Sequence, residues 1–210
     1  TTTVRDLAIL AQRMITDHPN EYKVYSQREF TYNNIKQANR NRLLWADPSV
    51  DGMKTGHTEA AGYCLISTAQ RGERRVISVL VGADSEATRA EESLKLVNWA
   101  FQNFDTVKLV DQGEAAIEAR VWEGTSEIAR LGTDEAIWLT IPRGKTGDVQ
   151  LLAQRPDPLL APLTQGQRVG TLTLTVDNQP LRVLPLDVMT AVERAGFFSR
   201  AIDQFKLWLQ

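Results

Sequence analysis

The stretch Asp51-Gly52-Met53-Lys54-Thr55-Gly56-His57-Thr58 leads into an apolar segment, Tyr63-Cys64-Leu65-Ile66, and its reading decides how the rest of the chain is organised. Lys54 brings a fixed positive charge, Thr55 a hydroxyl able to bond a carboxylate, and Gly56 a backbone without a side chain. At the head of a strand, the three would let an extended peptide lie flat against the edge and pair with its main chain. The same triplet recurs at Lys145-Thr146-Gly147, between Pro142 and Asp148, where the Gly/Pro punctuation predicts a turn or loop. Gly144-Lys145-Thr146 is not a phosphate loop either, since the earlier glycine of that pattern would fall at Leu139 and no helix pattern follows.

Working outward, two strand signals follow the motif, Gly62 to Ala69 and Val76 to Val81, joined at hairpin length by Gln70-Arg71-Gly72-Glu73-Arg74. Ser85 then caps a helix on which Ala87, Ala90, Leu94, Val97, Phe101 and Phe104 recur at steps of three and four, a stripe that predicts packing on a sheet. Upstream, Thr3 caps a helix with Asp6 in its first turn and an apolar face of Val4, Leu7, Ala8, Ala11, Met14 and Ile15, ended by Asp17-His18-Pro19. Between Tyr22 and Trp45, Phe30, Tyr32 and Ile35 alternate around Asn33-Asn34, which predicts a short hairpin followed by a long irregular crossing.

Beyond Asp105 the character changes. Val107 to Val110, Ala116 to Trp122, Ile137 to Ile141, Val149 to Ala153, Arg168 to Val176 and Leu181 to Pro185 are short β-rich segments separated by turn residues, the spacing of a small all-β sandwich. In Val169 to Val176 the apolar and threonine positions take opposite faces. The terminal stretch 197–210 predicts an amphipathic helix with Phe198, Ile202, Phe205 and Leu209 on one face and Phe197, Ala201 and Trp208 beside it. It suits either a helix packed on its own sandwich or one lying in a membrane interface. The expected divisions are 1–106, 107–196 and 197–210.

A net charge of −2 without a basic stripe argues against a nucleic-acid partner. No apolar run approaches the ~20 residues of a membrane span. Cys64, the single cysteine, reads as a buried small hydrophobe, and with two histidines it argues against a structural zinc site. No metal or cofactor is expected. A chain opening on Thr1-Thr2-Thr3 and ending on an uncapped apolar helix reads as part of something longer.

Taken together, these features resemble the serine D-alanyl-D-alanine carboxypeptidases, the low-molecular-mass penicillin-binding proteins. The matching text comprises Thr-Val-Arg-Asp-Leu-Ala at 3–8, Asn39 to Trp45, Val50 to Thr58, Ala61-Gly62-Tyr63, and Gly82-Ala83-Asp84 with Arg89. It extends through the β-domain that accompanies the catalytic domain in the type-5 and type-6 members. The resemblance implies an α+β fold: the C-terminal part of a penicillin-binding, serine β-lactamase-like domain, an antiparallel sheet with packed helices, followed by a small all-β sandwich. The family's Ser-x-x-Lys and Ser-x-Asn elements have no counterpart in this chain, so both are expected upstream of Thr1, and the chain alone is expected to be inactive.

The resemblance also implies roles. Lys54 and His57 are the catalytic candidates, Lys54 by its charge and His57 by its backbone N–H in an oxyanion site. Lys54, Thr55, Gly56, His57, Thr58, Arg40 and Arg89 are the substrate-binding candidates, with Thr55 and Arg89 at the substrate carboxylate. For Arg40 and Arg89, structural ion pairs with carboxylates such as Asp51 or Asp84 stay open. The implied substrate is the peptidoglycan pentapeptide, with β-lactam antibiotics as inhibitors. The other partners are the missing N-terminal part and a peripheral contact of the C-terminal helix with the inner membrane, in the bacterial periplasm. Alternatives are a D,D-endopeptidase of the same fold and a non-catalytic peptidoglycan-binding or scaffold module.

Overall fold

Thr3 begins the first helix with a reciprocal cap: its hydroxyl accepts the Asp6 N–H at 3.1 Å, and the Asp6 carboxylate accepts the Thr3 N–H at 3.1 Å. In this computed structural model, which describes residues 2–208, helix α1 spans Val4–Asp17 and stops at His18, before a short helix α2 at Pro19–Tyr22. The bonds to Thr3 hold the Asp6 carboxyl below its ordinary range. Strands β1 (Glu29–Tyr32) and β2 (Ile35–Ala38) form the expected hairpin. Asn33 and Asn34 both carry positive φ at its turn, the backbone a two-residue type I′ connection needs. The crossing that follows is shorter and more regular than expected, because Leu43–Ala46 forms a turn of helix, α3, that buries Leu43 and Leu44.

Strands β3 (Val50–Thr58), β4 (Gly62–Arg71) and β5 (Arg74–Ala83) make an antiparallel sheet in the order β3-β4-β5. The β4–β5 connection is Gly72-Glu73 alone, tighter than the five residues expected, with Gly72 at φ 61°. Period-two alternation covers both faces of this sheet. Val50, Leu65, Ala69 and Val76 pack with Val97 and Phe101 of helix α4 (Glu86–Asn103), while Met53, Ile66 and Ile77 pack with Ala11 of α1 and with Tyr22. Ser85 caps α4 through the Thr88 N–H at 3.1 Å. The buried ladder of α4 runs Arg89, Ser93, Val97, Phe101. Ala87 is exposed and Phe104 belongs to the next strand, so the predicted stripe is rotated by part of a turn.

The chain divides into two compact units, 1–103 and 104–210. The second unit holds β6 (Phe104–Val110), β7 (Ile117–Trp122), β8 (Ile128–Gly132), β9 (Ile137–Pro142), β10 (Val149–Gln154), β11 (Leu159–Leu160), β12 (Arg168–Val176) and β13 (Gln179–Val188). One sheet runs β10-β12-β13-β8-β7-β11, and β6 pairs with β9. Their shared core centres on Leu131, Ile141, Leu172, Leu174 and Leu186, and α+β is the class of the whole. Gly170 is dictated by packing, since a Cβ there would lie 2.0 Å from the Gln154 carbonyl oxygen.

Helix α5 (Phe197–Trp208) turns its polar side to this unit. Asp203 accepts the Glu123 N–H at 2.9 Å, and Gln204 donates to the Glu123 carboxylate at 2.9 Å. With Arg194 at 3.3 Å, the Gln204 bond first and the arginine second hold the Glu123 carboxyl below its ordinary range. The apolar side faces outward: Phe197, Phe198, Ile202, Phe205 and Trp208 are all exposed, Phe198 and Trp208 by 80% or more. Packing of that apolar face on the sandwich is therefore not what the structure has. Leu209, assigned to the same face, lies outside the described residues.

Candidate functional site

The motif lies in the outer half of β3, not at its head, because Val50 to Met53 already pair with β4. The root of the strand is pinned by buried polar contacts. Asn41, 1% exposed, donates to the Gly52 carbonyl at 2.9 Å and accepts the Leu43 N–H at 3.2 Å. The Asp51 carboxylate lies 2.9 Å from the Tyr22 hydroxyl and 2.8 Å from that of Thr68, and accepts from Arg75 at 2.8 Å. The Tyr22 and Thr68 hydroxyls also lie within hydrogen-bond distance of each other, so with one hydrogen apiece one of them donates to its neighbour while the other serves the carboxylate. Burial, aided by the Asp51 charge, pushes the Tyr22 phenol up to about 12. Gly52 fits beneath this cluster only because it has no side chain: a Cβ would stand 2.6 Å from the Tyr22 hydroxyl.

From Lys54 onward the strand emerges to the surface, and among the described residues β3 ends the sheet, with one edge of its backbone open. Fixed at the root and open at the tip, it offers unpaired N–H and C=O groups to an extended ligand. Thr55, Gly56 and His57 line a cleft of about 340 Å³ together with Arg40, Tyr63, Glu86 and Arg89. Five of the residues expected from the sequence thus meet in one place.

Arg89 is the buried cation of this cleft, 3% exposed. It donates to the Arg40 carbonyl at 3.2 Å and stands 3.8 Å from Glu86, which also pairs with Arg42 at 3.1 Å. Glu86, and not Asp51 or Asp84, is therefore its carboxylate neighbour; Asp51 is taken by Arg75. Arg40 contributes its main chain to this contact while its side chain is exposed. The His57 imidazole stacks on Tyr63, its cross-strand partner, with ring centroids 4.0 Å apart.

Two expected residues are placed differently. Lys54 is outside this cleft; its ammonium folds back to the Thr55 carbonyl at 2.5 Å, and its stem lines a smaller apolar cleft with Leu7, Cys64 and Val79. Thr58 spends its hydroxyl accepting the Ala61 N–H at 3.0 Å, closing the turn into β4. Cys64 is half-buried, not buried as expected, because its strand position opposite Gly56 has no side chain to cover it. Glu86 and Arg75 have no part in the sequence reading and Tyr22 only marks where an irregular stretch begins, while Tyr63 and Asn41 enter it as matching text without a role and Asp51 as a candidate ion-pair partner of Arg40 or Arg89. The one available signal was Tyr63, an aromatic residue at the start of the strand after the motif.

The second triplet has none of this. Thr146–Asp148 is a single 3₁₀ turn, and Lys145 pairs with Asp148 and Asp177 at 3.1 Å each, which raises its ammonium above the ordinary range.

Comparison with known proteins gives a consistent result for both units. Residues 1–85 match the family model of the D-alanyl-D-alanine carboxypeptidases, and residues 104–194 that of the penicillin-binding protein 5 C-terminal domain. D-alanyl-D-alanine carboxypeptidase DacA of Escherichia coli is 41% identical over 207 residues, covering 98% of this chain and 51% of the relative. DacC of the same organism is 43% identical over 203 residues, covering 96% and 51%. Among solved structures, penicillin-binding protein 5 from Haemophilus influenzae superposes with a TM-score of 0.85 at 40% identity, covering 92% of this chain and 57% of that one. The chain spans about half the length of the curated relatives it matches.

Proposed function

Because the chain belongs to the D-alanyl-D-alanine carboxypeptidase family, we propose that it supplies one wall of a serine acyl-transfer site that removes the terminal D-alanine from peptidoglycan stem peptides. The observation that carries this reading is the cleft on the open edge of β3, where an extended main chain, a hydroxyl and a buried guanidinium converge. A stem peptide pairs with the β3 edge past Gly56, and its terminal carboxylate meets Thr55 and Arg89.

A serine outside these residues attacks the carbonyl between the two D-alanines. The C–N bond breaks, the amine leaves with the proton given up by the serine, and water later hydrolyses the acyl ester. The oxyanion of each step is held by the His57 N–H, and the Lys54 charge favours it once the ammonium leaves its own strand carbonyl for the pocket. A β-lactam follows the same first step and stays as the ester, which makes it an inhibitor.

The same reading puts the protein outside the cytoplasm of a bacterium, at the cell wall. The outward apolar side of α5 favours a peripheral membrane contact there, since five exposed large side chains on one short helix suit an interface between water and lipid. No described helix is long and apolar enough to cross a membrane.

Labelling with a fluorescent penicillin tests the central claim. The complete enzyme should label covalently, and residues 1–210 alone should not. Labelling of the 210-residue chain by itself, or no labelling of the complete enzyme, would overturn it. Liposome co-sedimentation with and without residues 197–210 tests the tail; equal sedimentation would remove the membrane contact.

A further inference from the structure

Tyr63 places a single ring against two residues of the cleft, His57 of the oxyanion site and Arg89 of the carboxylate site. It lies directly opposite His57 in the β3–β4 register, with the imidazole centroid 4.0 Å away and the rings inclined by 33°. The Arg89 guanidinium carbon is 5.7 Å from the same ring, within the distance at which an aromatic face attracts a cation. Arg89 is almost fully buried, yet the contacts around it are one backbone carbonyl, Glu86 at 3.8 Å and this ring. A guanidinium has five donors in a rigid fork. Held mainly by a π face and one carbonyl, it keeps donors free for an incoming carboxylate.

We infer that Tyr63 is the positioning residue of the carboxylate end of the cleft: packed against the His57 imidazole, its ring aligns the Arg89 guanidinium for the substrate carboxylate, while the His57 N–H is held by the β3 backbone itself. This rests on the proposed carboxypeptidase reading. The ring, and not the phenol hydroxyl, is the working part, because the contacts to His57 and Arg89 are both ring contacts. A residue that acts through Arg89 should affect recognition of a free carboxylate more than the chemistry at the scissile carbonyl.

The test uses the complete enzyme and two peptides ending in D-Ala-D-Ala, one with a free carboxylate and one with a terminal amide. Tyr63→Leu should raise KM for the free acid about tenfold, the scale of losing one partly buried cation–π partner, with kcat changed by less than about twofold. Its rate on the amide should be unchanged, so the preference for acid over amide narrows. Tyr63→Phe should restore the wild-type values. Should Tyr63→Leu fail to fold, Tyr63→Met keeps the volume without the π face and is expected to behave as described for leucine.

A direct readout is given by the His57 imidazole signals of the complete enzyme, assigned as those that disappear in His57→Gln. They should carry a ring-current shift that is present in Tyr63→Phe and absent in Tyr63→Met. Equal losses on acid and amide, a Tyr63→Phe defect as large as that of Tyr63→Leu, or unchanged kinetics in all three variants would each overturn the inference. A wild-type enzyme that neither releases D-alanine nor labels with penicillin would instead sink the carboxypeptidase reading itself.

Discussion

Lys54-Thr55-Gly56 and Lys145-Thr146-Gly147 are the same three residues in the same order, and the molecule treats them in opposite ways. The first lies in a nine-residue strand whose root is fixed by Asn41, Tyr22, Thr68 and Arg75 and whose outer edge is open. The second is a turn whose lysine is neutralised by two aspartates. The glycines differ as well: a Cβ at Gly56 would meet Cys64 at 3.9 Å, whereas one at Gly147 would meet nothing within 4 Å. A motif acquires chemistry when an extended backbone presents it and a buried frame holds that backbone still.

The largest effect that could break this contrast is on charge. In the complete enzyme, Lys54→Ala should lower acylation by penicillin at least ~10²-fold, the scale of one lost electrostatic stabiliser. Lys145→Ala should leave acylation unchanged, since its partners hold it at a turn in the other unit. Comparable losses at the two sites would dissolve the distinction between the triplets.

The next effect is on the frame. Gly52→Ala forces a methyl to 2.6 Å from the Tyr22 hydroxyl and 2.9 Å from the Thr68 hydroxyl. Because Tyr22 is itself buried, we expect a loss of about 1–3 kcal/mol, the usual range for overpacking, seen as a lower urea midpoint. Gly147→Ala should change the midpoint by less than ~0.5 kcal/mol equivalent. A neutral Gly52→Ala would mean that the root of β3 yields easily and does not support the motif.

Gly56→Ala separates fold from function. Its methyl makes only an ordinary contact with Cys64, so thermal stability should be retained. It crowds the edge along which a peptide would lie, and acylation should fall about tenfold, near 1.4 kcal/mol. Full activity in that variant would argue that the substrate does not run along β3.

How much of this was legible beforehand follows from the range of each interaction. The Thr3 cap, the Asn33-Asn34 hairpin and the β4–β5 hairpin depend on neighbours within a few residues, and all three are readable from sequence. Strands β8 and β11 are not: Ile128–Gly132 is short and carries an arginine, and Leu159–Leu160 is a strand only because it lies parallel to β7. The site divides in the same way. Thr55, Gly56 and His57 sit in one motif, and Arg40 and Arg89 came through resemblance. Tyr22 and Thr68 meet across 46 residues of sequence and Tyr22 and Asp51 across 29, so the frame became visible only when the chain was folded. The stripe of α4 misled for a related reason: Arg89 sits where periodicity reserves an apolar side chain, which is itself a sign of its use.

The smallest effect is confined to alkaline pH and tests whether the frame is electrostatically closed. Tyr22 ionises near 12 in the folded chain against 10.0 ordinarily, because burial and the adjacent Asp51 carboxylate disfavour a second negative charge. The raised folded value means that the neutral phenol contributes stability fully below the unfolded value, and that this contribution is lost as pH rises through the folded one. Tyr22→Phe should therefore melt lower than wild type at neutral pH, with a gap that narrows between about 10 and 12. Tyrosinate absorbance offers an independent check, since a component ionising near 12 should be present in wild type and disappear in Tyr22→Phe. A constant gap across that range would show that the Tyr22 ionisation is not coupled to folding, leaving Thr68 and Arg75 to answer the Asp51 charge at the root of the strand.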